Sequence, residues 1–208
     1  MAGAAHDIRS PLTAVRGFAT TMLSRWPSLS DEDREAMLRA IAMDAGRMNA
    51  VLRELVDAAR ATAGRLELSL QRVDLSEILG KAVEAVSRRP EFPAVEWDAD
   101  APPILADPVR VQGAVEAMLE SVAWWGEEGP ITLQVRARGD AVEVDAFRAH
   151  TQLSSGESEA LLAPRAAGSG RGSKLGLFVA RAVAEAHGGT LTAAVEGGIA
   201  FRLRLPAT

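Results

Sequence analysis

Near the start of the chain a histidine is followed directly by a carboxylate and, one helical turn on, by a hydroxyl: His6, Asp7 and Ser10. An imidazole titrates at about 6.5, so at neutral pH most of it is uncharged and offers a lone pair. A carboxylate beside it can hold the proton on the other ring nitrogen. That fixes the tautomer and stabilises the cation formed when the free nitrogen attacks an electrophile such as phosphorus. The full stretch is His6-Asp7-Ile8-Arg9-Ser10-Pro11-Leu12. It heads a run in which Ile8, Leu12, Val15, Phe18, Ala19, Met22, Leu23 and Trp26 recur at intervals of three and four, the signature of an amphipathic helix. That helix must present His6. Pro11 removes a backbone donor and is expected to kink it just below the histidine.

Composition narrows the classes. The chain has 208 residues, 48% of them hydrophobic, which suffices to bury a core in one large domain or two small ones. A net charge of −5 argues against a nucleic-acid surface, which needs a basic face. With no cysteine there is neither a disulfide nor a thiolate metal site, in keeping with the cytoplasm. No apolar run approaches the roughly 20 residues that span a bilayer, and the first residues lack the blocks of a signal peptide. The expectation is a cytoplasmic chain without membrane insertion, standing alone or cut from a longer protein.

Pro27-Ser28-Leu29 ends the first pattern, and Ser30 with Asp33 reads as an N-cap and its capping-box partner. A second helix carries Met37, Leu38, Ile41, Ala45, Met48, Val51, Leu52, Leu55 and Val56 on one face and ends at Gly64. A lone hairpin of this kind leaves half its apolar stripe wet, and pairing two hairpins into a four-helix bundle buries it, so a homodimer is expected. Alternating Leu66, Leu68 and Leu70 suggest a strand in the connector Arg65–Leu75, with the domain boundary there: residues 1–68 as hairpin and 69–208 as an α/β domain. Asp74 and Asp107 stand as caps of the next two helices, the second running to about Trp125. Ile131, Leu133, Val135 and Ala137, then a Gly139-Asp140 turn, then Val142, Val144 and Ala146, alternate as a half-buried hairpin should. A short helix near Glu157–Leu162 lies in an Ala-, Ser- and Gly-rich loop. A last helix from Leu175 stops at Gly188-Gly189, and a hairpin turning at Gly197-Gly198 closes the chain. The fold class expected is α + α/β: a helical hairpin, dimeric as a four-helix bundle, then one mixed sheet with helices over one face.

The first stretch resembles the H-box of two-component sensor histidine kinases. Leu175-Gly176-Leu177, Glu185-Ala186-His187-Gly188-Gly189, Phe201-Arg202-Leu203-Arg204-Leu205-Pro206 and Asp107-Pro108-Val109-Arg110 resemble the ATP-binding (GHKL-type) domain of the same family. The resemblance implies that His6 accepts a phosphoryl group, that Asp7 orients it, and that Ser10 stands where water is positioned for dephosphorylation. Receiver domains of response regulators dock on such bundles just below the histidine, which makes Thr13, Arg16, Thr20 and Thr21 candidate contacts. The nucleotide residues depart from the family. In register from Asp107, the two N-box asparagines, the second a magnesium binder, fall on Ala117 and Ser121, and the lysine and tyrosine that follow fall on Trp124 and Trp125. The Asp-x-Gly-x-Gly box that reads adenine falls on Arg148-Ala149-His150-Thr151-Gln152, where both glycines have gained side chains. A shifted register would offer Asp145 instead, still without the glycine at Phe147. Lys174 replaces a glycine beside Gly176, and the loop from Arg165 to Gly172 is short for a lid.

These departures favour no bound cofactor, with ATP and Mg²⁺ retained only if the divergent pocket still works. No metal site is expected: Glu116 and Glu120, one turn apart, read as a solvated helix face. His187, at a helix end before two glycines, reads as a structural cap. The function expected is phosphoryl exchange between His6 and a response-regulator aspartate without ATP-dependent autophosphorylation. The alternatives are an ATP-dependent histidine kinase core with a divergent site, and a non-catalytic scaffold.

Overall fold

Two long helices begin the chain in the computed structural model, which describes residues 2–89, 91–98, 102–163 and 174–207. Helix α1 (Ala2–Arg25) continues through Pro11, and α2 spans Asp31–Thr62. A 3-10 turn, Trp26–Ser28, joins them. The cap expected at Ser30 is present in reciprocal form: its hydroxyl accepts from the Asp33 N–H at 3.1 Å, and its own N–H donates to Asp33 Oδ2 at 3.3 Å. Arg34 fixes the turn, with its guanidinium 4.6 Å from the centre of the Trp26 ring and Nη2 donating to the Trp26 carbonyl at 2.7 Å.

The hairpin is short of core. Among its described residues only Pro11, Met22 and Ala58 are buried. Leu12, Leu23, Leu38, Met43, Leu52 and Val56 all face solvent in the single chain.

Residues up to Ala59 form one compact unit, and a second begins at Arg60. The connector belongs to the second: Leu66 lies half-buried against its core, and the Ser69 N–H donates to Asp107 Oδ2 at 2.9 Å. The strand expected across Arg65–Leu75 is a correction. Only β1 (Gln71–Val73) forms, because its antiparallel partner β3 (Ile104–Ala106) offers just three residues to pair with. Leu66 and Leu68 keep the inward alternation but have no neighbouring strand.

Helices α3 (Leu75–Ser87) and α4 (Pro108–Trp125) start at the two expected caps. Strands β2 (Val95–Asp98), β4 (Glu128–Arg138), β5 (Ala141–Ala149), β6 (Thr190–Val195) and β7 (Gly198–Pro206) form one mixed sheet in the order β2-β4-β5-β7-β6. Only β2 and β4 run parallel. Short α5 (Ser155–Ala160) and long α6 (Lys174–Ala186) complete the unit. Period-two patterning puts Ile131, Leu133, Val142, Val144, Ile199, Phe201 and Leu203 on one sheet face, fully buried against Leu79, Val115, Met118, Leu177 and Ala180 of the helices. Charged residues take the other face. Glu143 and Asp145 alternate there with the apolar residues of β5, opposite Arg136 of β4 and Arg202 and Arg204 of β7. The helical hairpin followed by a sandwich with helices over one sheet face is the architecture its patterning predicts.

Candidate functional site

Helix α1 carries the candidate nucleophile. The backbone of His6 and Asp7 is helical, while their side chains lie outside the described residues. Ser10, one turn below His6, is exposed. Thr13, Arg16 and Thr20 follow at i+3, i+6 and i+10, all exposed, so an open polar stripe runs down the helix from Ser10. Thr21 sits at its edge, half-buried. The Thr13 hydroxyl donates to the Arg9 carbonyl at 2.8 Å, which fixes its rotamer two residues after Pro11.

The positions expected to meet a nucleotide lie on α4, β5 and the start of α6, and two of their described side chains, Ser121 and Arg148, bond to the protein itself. Ala117 is buried and offers a methyl group. Ser121 is buried, and its hydroxyl donates back to the Ala117 carbonyl at 2.7 Å. Arg148 holds three carbonyls: Nη1 donates to Ala123 at 2.6 Å and Gly126 at 2.7 Å, and Nε to Gly129 at 3.2 Å. A guanidinium set on the last turn of α4 meets the negative end of its dipole. Asp145, the alternative adenine contact, is committed elsewhere. Its Oδ1 accepts from Arg202 Nε at 2.6 Å and its Oδ2 from Arg136 Nη1 at 2.9 Å, on the charged sheet face. That hydrogen bond, then the charge of Asp145, raises Arg202 above the usual arginine range. Gly176 is buried in the first turn of α6. The side chain of Lys174, and the loop from Arg165 through Gly172, lie outside the described residues.

Among the described residues no cluster of histidines and carboxylates could hold a metal ion. Glu120 pairs with Arg89, and Glu116 accepts from Gln112 Nε2 at 2.8 Å. Glu120 is thus a paired side chain, only 22% exposed, where a solvated face was expected.

At the opposite end of α4 the expected cap is present, but sequence reasoning missed what is joined to it. Asp107 caps the helix through Oδ1, which accepts from the Val109 and Arg110 N–H groups at 3.1 Å each. Its other oxygen holds Ser69, and its own N–H donates to His187 Nε2 at 3.0 Å. His187 Nδ1 lies 2.7 Å from the Val183 carbonyl, so the imidazole is a neutral bridge with its proton on Nδ1. His187 is structural, as expected, but it ties α6 to the cap of α4. Nothing in the spacing of residues 69, 107 and 187 signals that meeting.

Residues 1–64 match the His Kinase A (phospho-acceptor) domain. The chain is 32% identical to the sensor histidine kinase ZraS of Klebsiella oxytoca over 99% of its own length and 45% of that protein's. It is 26% identical to the sensor protein KdpD of Escherichia coli K12, covering 99% of this chain and 24% of KdpD. The chain thus spans about half, or less, of the curated relatives it matches. Two solved structures share the fold. The Acinetobacter baumannii histidine kinase AdeS covers 98% of both chains at a TM-score of 0.67 and 16% identity. Full-length ShkA in complex with AMPPNP covers 99% of this chain and 45% of its own at 0.70 and 23%. Residues 1–64 thus match a phospho-acceptor domain at the head of a chain that is similar along its whole length to two-component sensor histidine kinases.

Proposed function

We propose that the chain exchanges a phosphoryl group between His6 and an aspartate on the receiver domain of a response regulator, without making phosphohistidine from ATP. The attacking imidazole nitrogen forms a P–N bond as the aspartyl P–O bond breaks, and Asp7 holds the proton on the other nitrogen. The receiver docks along the stripe of Ser10, Thr13, Arg16 and Thr20, with Thr21 at its edge. Two hairpins pair through the exposed Leu38, Leu52 and Val56 to give a homodimeric four-helix bundle. The observation that carries the ATP-independent part is Arg148: at the position of the adenine aspartate stands a cation already bound to three protein carbonyls.

A second reading has its own support, and the comparisons back it better than the first. The relatives are named sensor histidine kinases, and ShkA, with the same fold over 99% of this chain, was solved with AMPPNP. On that reading ATP and Mg²⁺ bind a divergent pocket and phosphorylate His6 directly. Localisation beside a cytoplasmic receiver is common to both readings. Among the described residues no helix is long and apolar enough to cross a membrane.

The deciding experiment offers the purified protein radiolabelled ATP with Mg²⁺ in one arm and phosphorylated receivers in the other. Label that enters from receivers alone, and is lost in His6→Ala, is the expected outcome. Label entering from ATP, again lost in His6→Ala, overturns it in favour of the kinase. No label from either donor leaves the scaffold.

A further inference from the structure

Arg148 is not the one side chain of its segment that reaches across. Three residues at alternate positions, Arg148, His150 and Gln152, all meet the connection between α4 and β4. Arg148 holds the carbonyls of Ala123, Gly126 and Gly129. His150 Nε2 lies 3.4 Å from Glu128 Oε2, and Gln152 Nε2 donates to Glu127 Oε1 at 2.7 Å. The backbone joins in: the Glu127 N–H is shared between the carbonyls of Ala149 at 3.1 Å and His150 at 3.0 Å.

The local backbone is shaped to allow this. A Cβ on Gly126 would come 2.6 Å from the Cβ of Arg148, so the arginine lies flat on the helix end only because residue 126 has no side chain. A Cβ on Gly198 would strike the Arg148 carbonyl, so the next strand also makes room. His150 takes φ +51, a left-handed conformation a histidine rarely adopts, and its N–H is held by the Gly197 carbonyl at 3.0 Å. A strained residue inside a hydrogen-bonded network marks a segment held in place by its surroundings.

We propose that Arg148, His150 and Gln152 form an internal brace, which keeps the α4–β4 connection ordered with no ligand bound. The inference deepens the ATP-independent reading and rests on it: the segment has exchanged ligand contacts for contacts to the protein. Helix α4 carries Ala117 and Ser121 and packs beside α6. A brace on its C-terminal end therefore holds that helix in one position whatever the nucleotide concentration.

The test is amide hydrogen exchange on the full chain, wild type against Arg148→Ala and, as the milder variant, Gln152→Ala. In wild type, exchange at Gly126 and Glu127 is expected to be slow and unchanged by Mg²⁺ with AMPPNP. Arg148→Ala should speed exchange at those two amides at least tenfold, and Gln152→Ala severalfold at Glu127. The β5–β7 amides, including Leu203 and Leu205, should keep their rates, which shows that the fold survives. Unchanged rates at Gly126 and Glu127 in both variants would overturn the brace. Rates in wild type that slow further with AMPPNP would overturn ligand independence and the ATP-independent reading with it. His6 labelling from ATP, with the two variants behaving as expected, would overturn that reading alone.

Discussion

The hairpin and the sandwich are unfinished in opposite senses. The hairpin has its chemical sequence in place, from His6 through Ser10, but no core of its own: three buried residues among those described, and a stripe of exposed leucines. The sandwich has a continuous core from Leu75 to Leu205, and at two of the positions expected to meet a nucleotide, Ser121 and Arg148, the side chains bond within it. The hairpin exposes the stripe that the proposed second copy would cover, and it carries the histidine that the proposed function phosphorylates. The sandwich carries its own core, and at Ser121 and Arg148, the positions matched by resemblance to nucleotide contacts, the side chains bond to the protein itself. Ala117 belongs to the core outright, while Ser121 and Arg148 are tied to backbone carbonyls, so these positions serve the fold itself.

The sharpest way to break this contrast is at the dimer. Leu38→Asp with Leu52→Asp puts two charges into the stripe that a second hairpin would cover, and desolvating either costs several kcal/mol. Light scattering should then report a monomer at concentrations where the wild type is a dimer. The shift in dissociation constant should exceed about 100-fold. The helical circular-dichroism signal should fall while the sandwich keeps its own unfolding transition. A variant that stays dimeric would show that the stripe is covered by something other than a second hairpin.

How much of this could be read from residues alone depends on the range of the interaction. Ser30 with Asp33, Asp74, Asp107 and Gly139-Asp140 announce themselves, because a cap or a turn is completed within three or four residues. The alternation of β4, β5 and β7 was equally plain, and so was the helical hairpin. The strand in the connector was misplaced because β1 depends on the three residues of β3 more than thirty positions away. An arginine at 148, where the resemblance expects an aspartate, was legible; its carbonyl partners were not. Ala123, Gly126 and Gly129 offer backbone carbonyls, which leave no mark in a sequence. Gly126 was the one available signal, a glycine straight after two tryptophans where a helix end alone would explain it.

The charged sheet face offers a smaller test of the same contrast. Asp145 is nearly buried between Arg136 and Arg202, whose side chains are 44% and 53% exposed. Its contacts are structural, so Asp145→Asn should lower stability by about 1–2 kcal/mol, the worth of a charged hydrogen bond discounted for partners half in water. The denaturation midpoint should drop with the slope unchanged, and phosphoryl transfer at His6 should stay at its wild-type rate. Slower transfer with normal stability would mean that this face touches the reaction.

The smallest effect expected lies in α5, and it has a definite sign. Glu157 accepts from the Ser154 hydroxyl at 2.7 Å and from the Ser154 N–H at 2.9 Å. The hydroxyl, then the backbone bond, holds its carboxyl below the ordinary glutamate value. A carboxyl with a depressed folded pKa contributes stability that is fully present above its unfolded pKa and lost as pH falls through the folded one. The capping box should therefore hold at neutral pH and come apart only in acid, below the range where an unpaired glutamate titrates. Following the Ser154 and Glu157 amides by NMR from neutral pH downwards would give that midpoint. Ser154→Ala removes the larger cause and should move the midpoint upward, toward the ordinary value. If the midpoint does not move, the hydroxyl is not what holds the proton off, and α5 is anchored by its buried Ser158 and by Leu162 just beyond its end rather than by its cap.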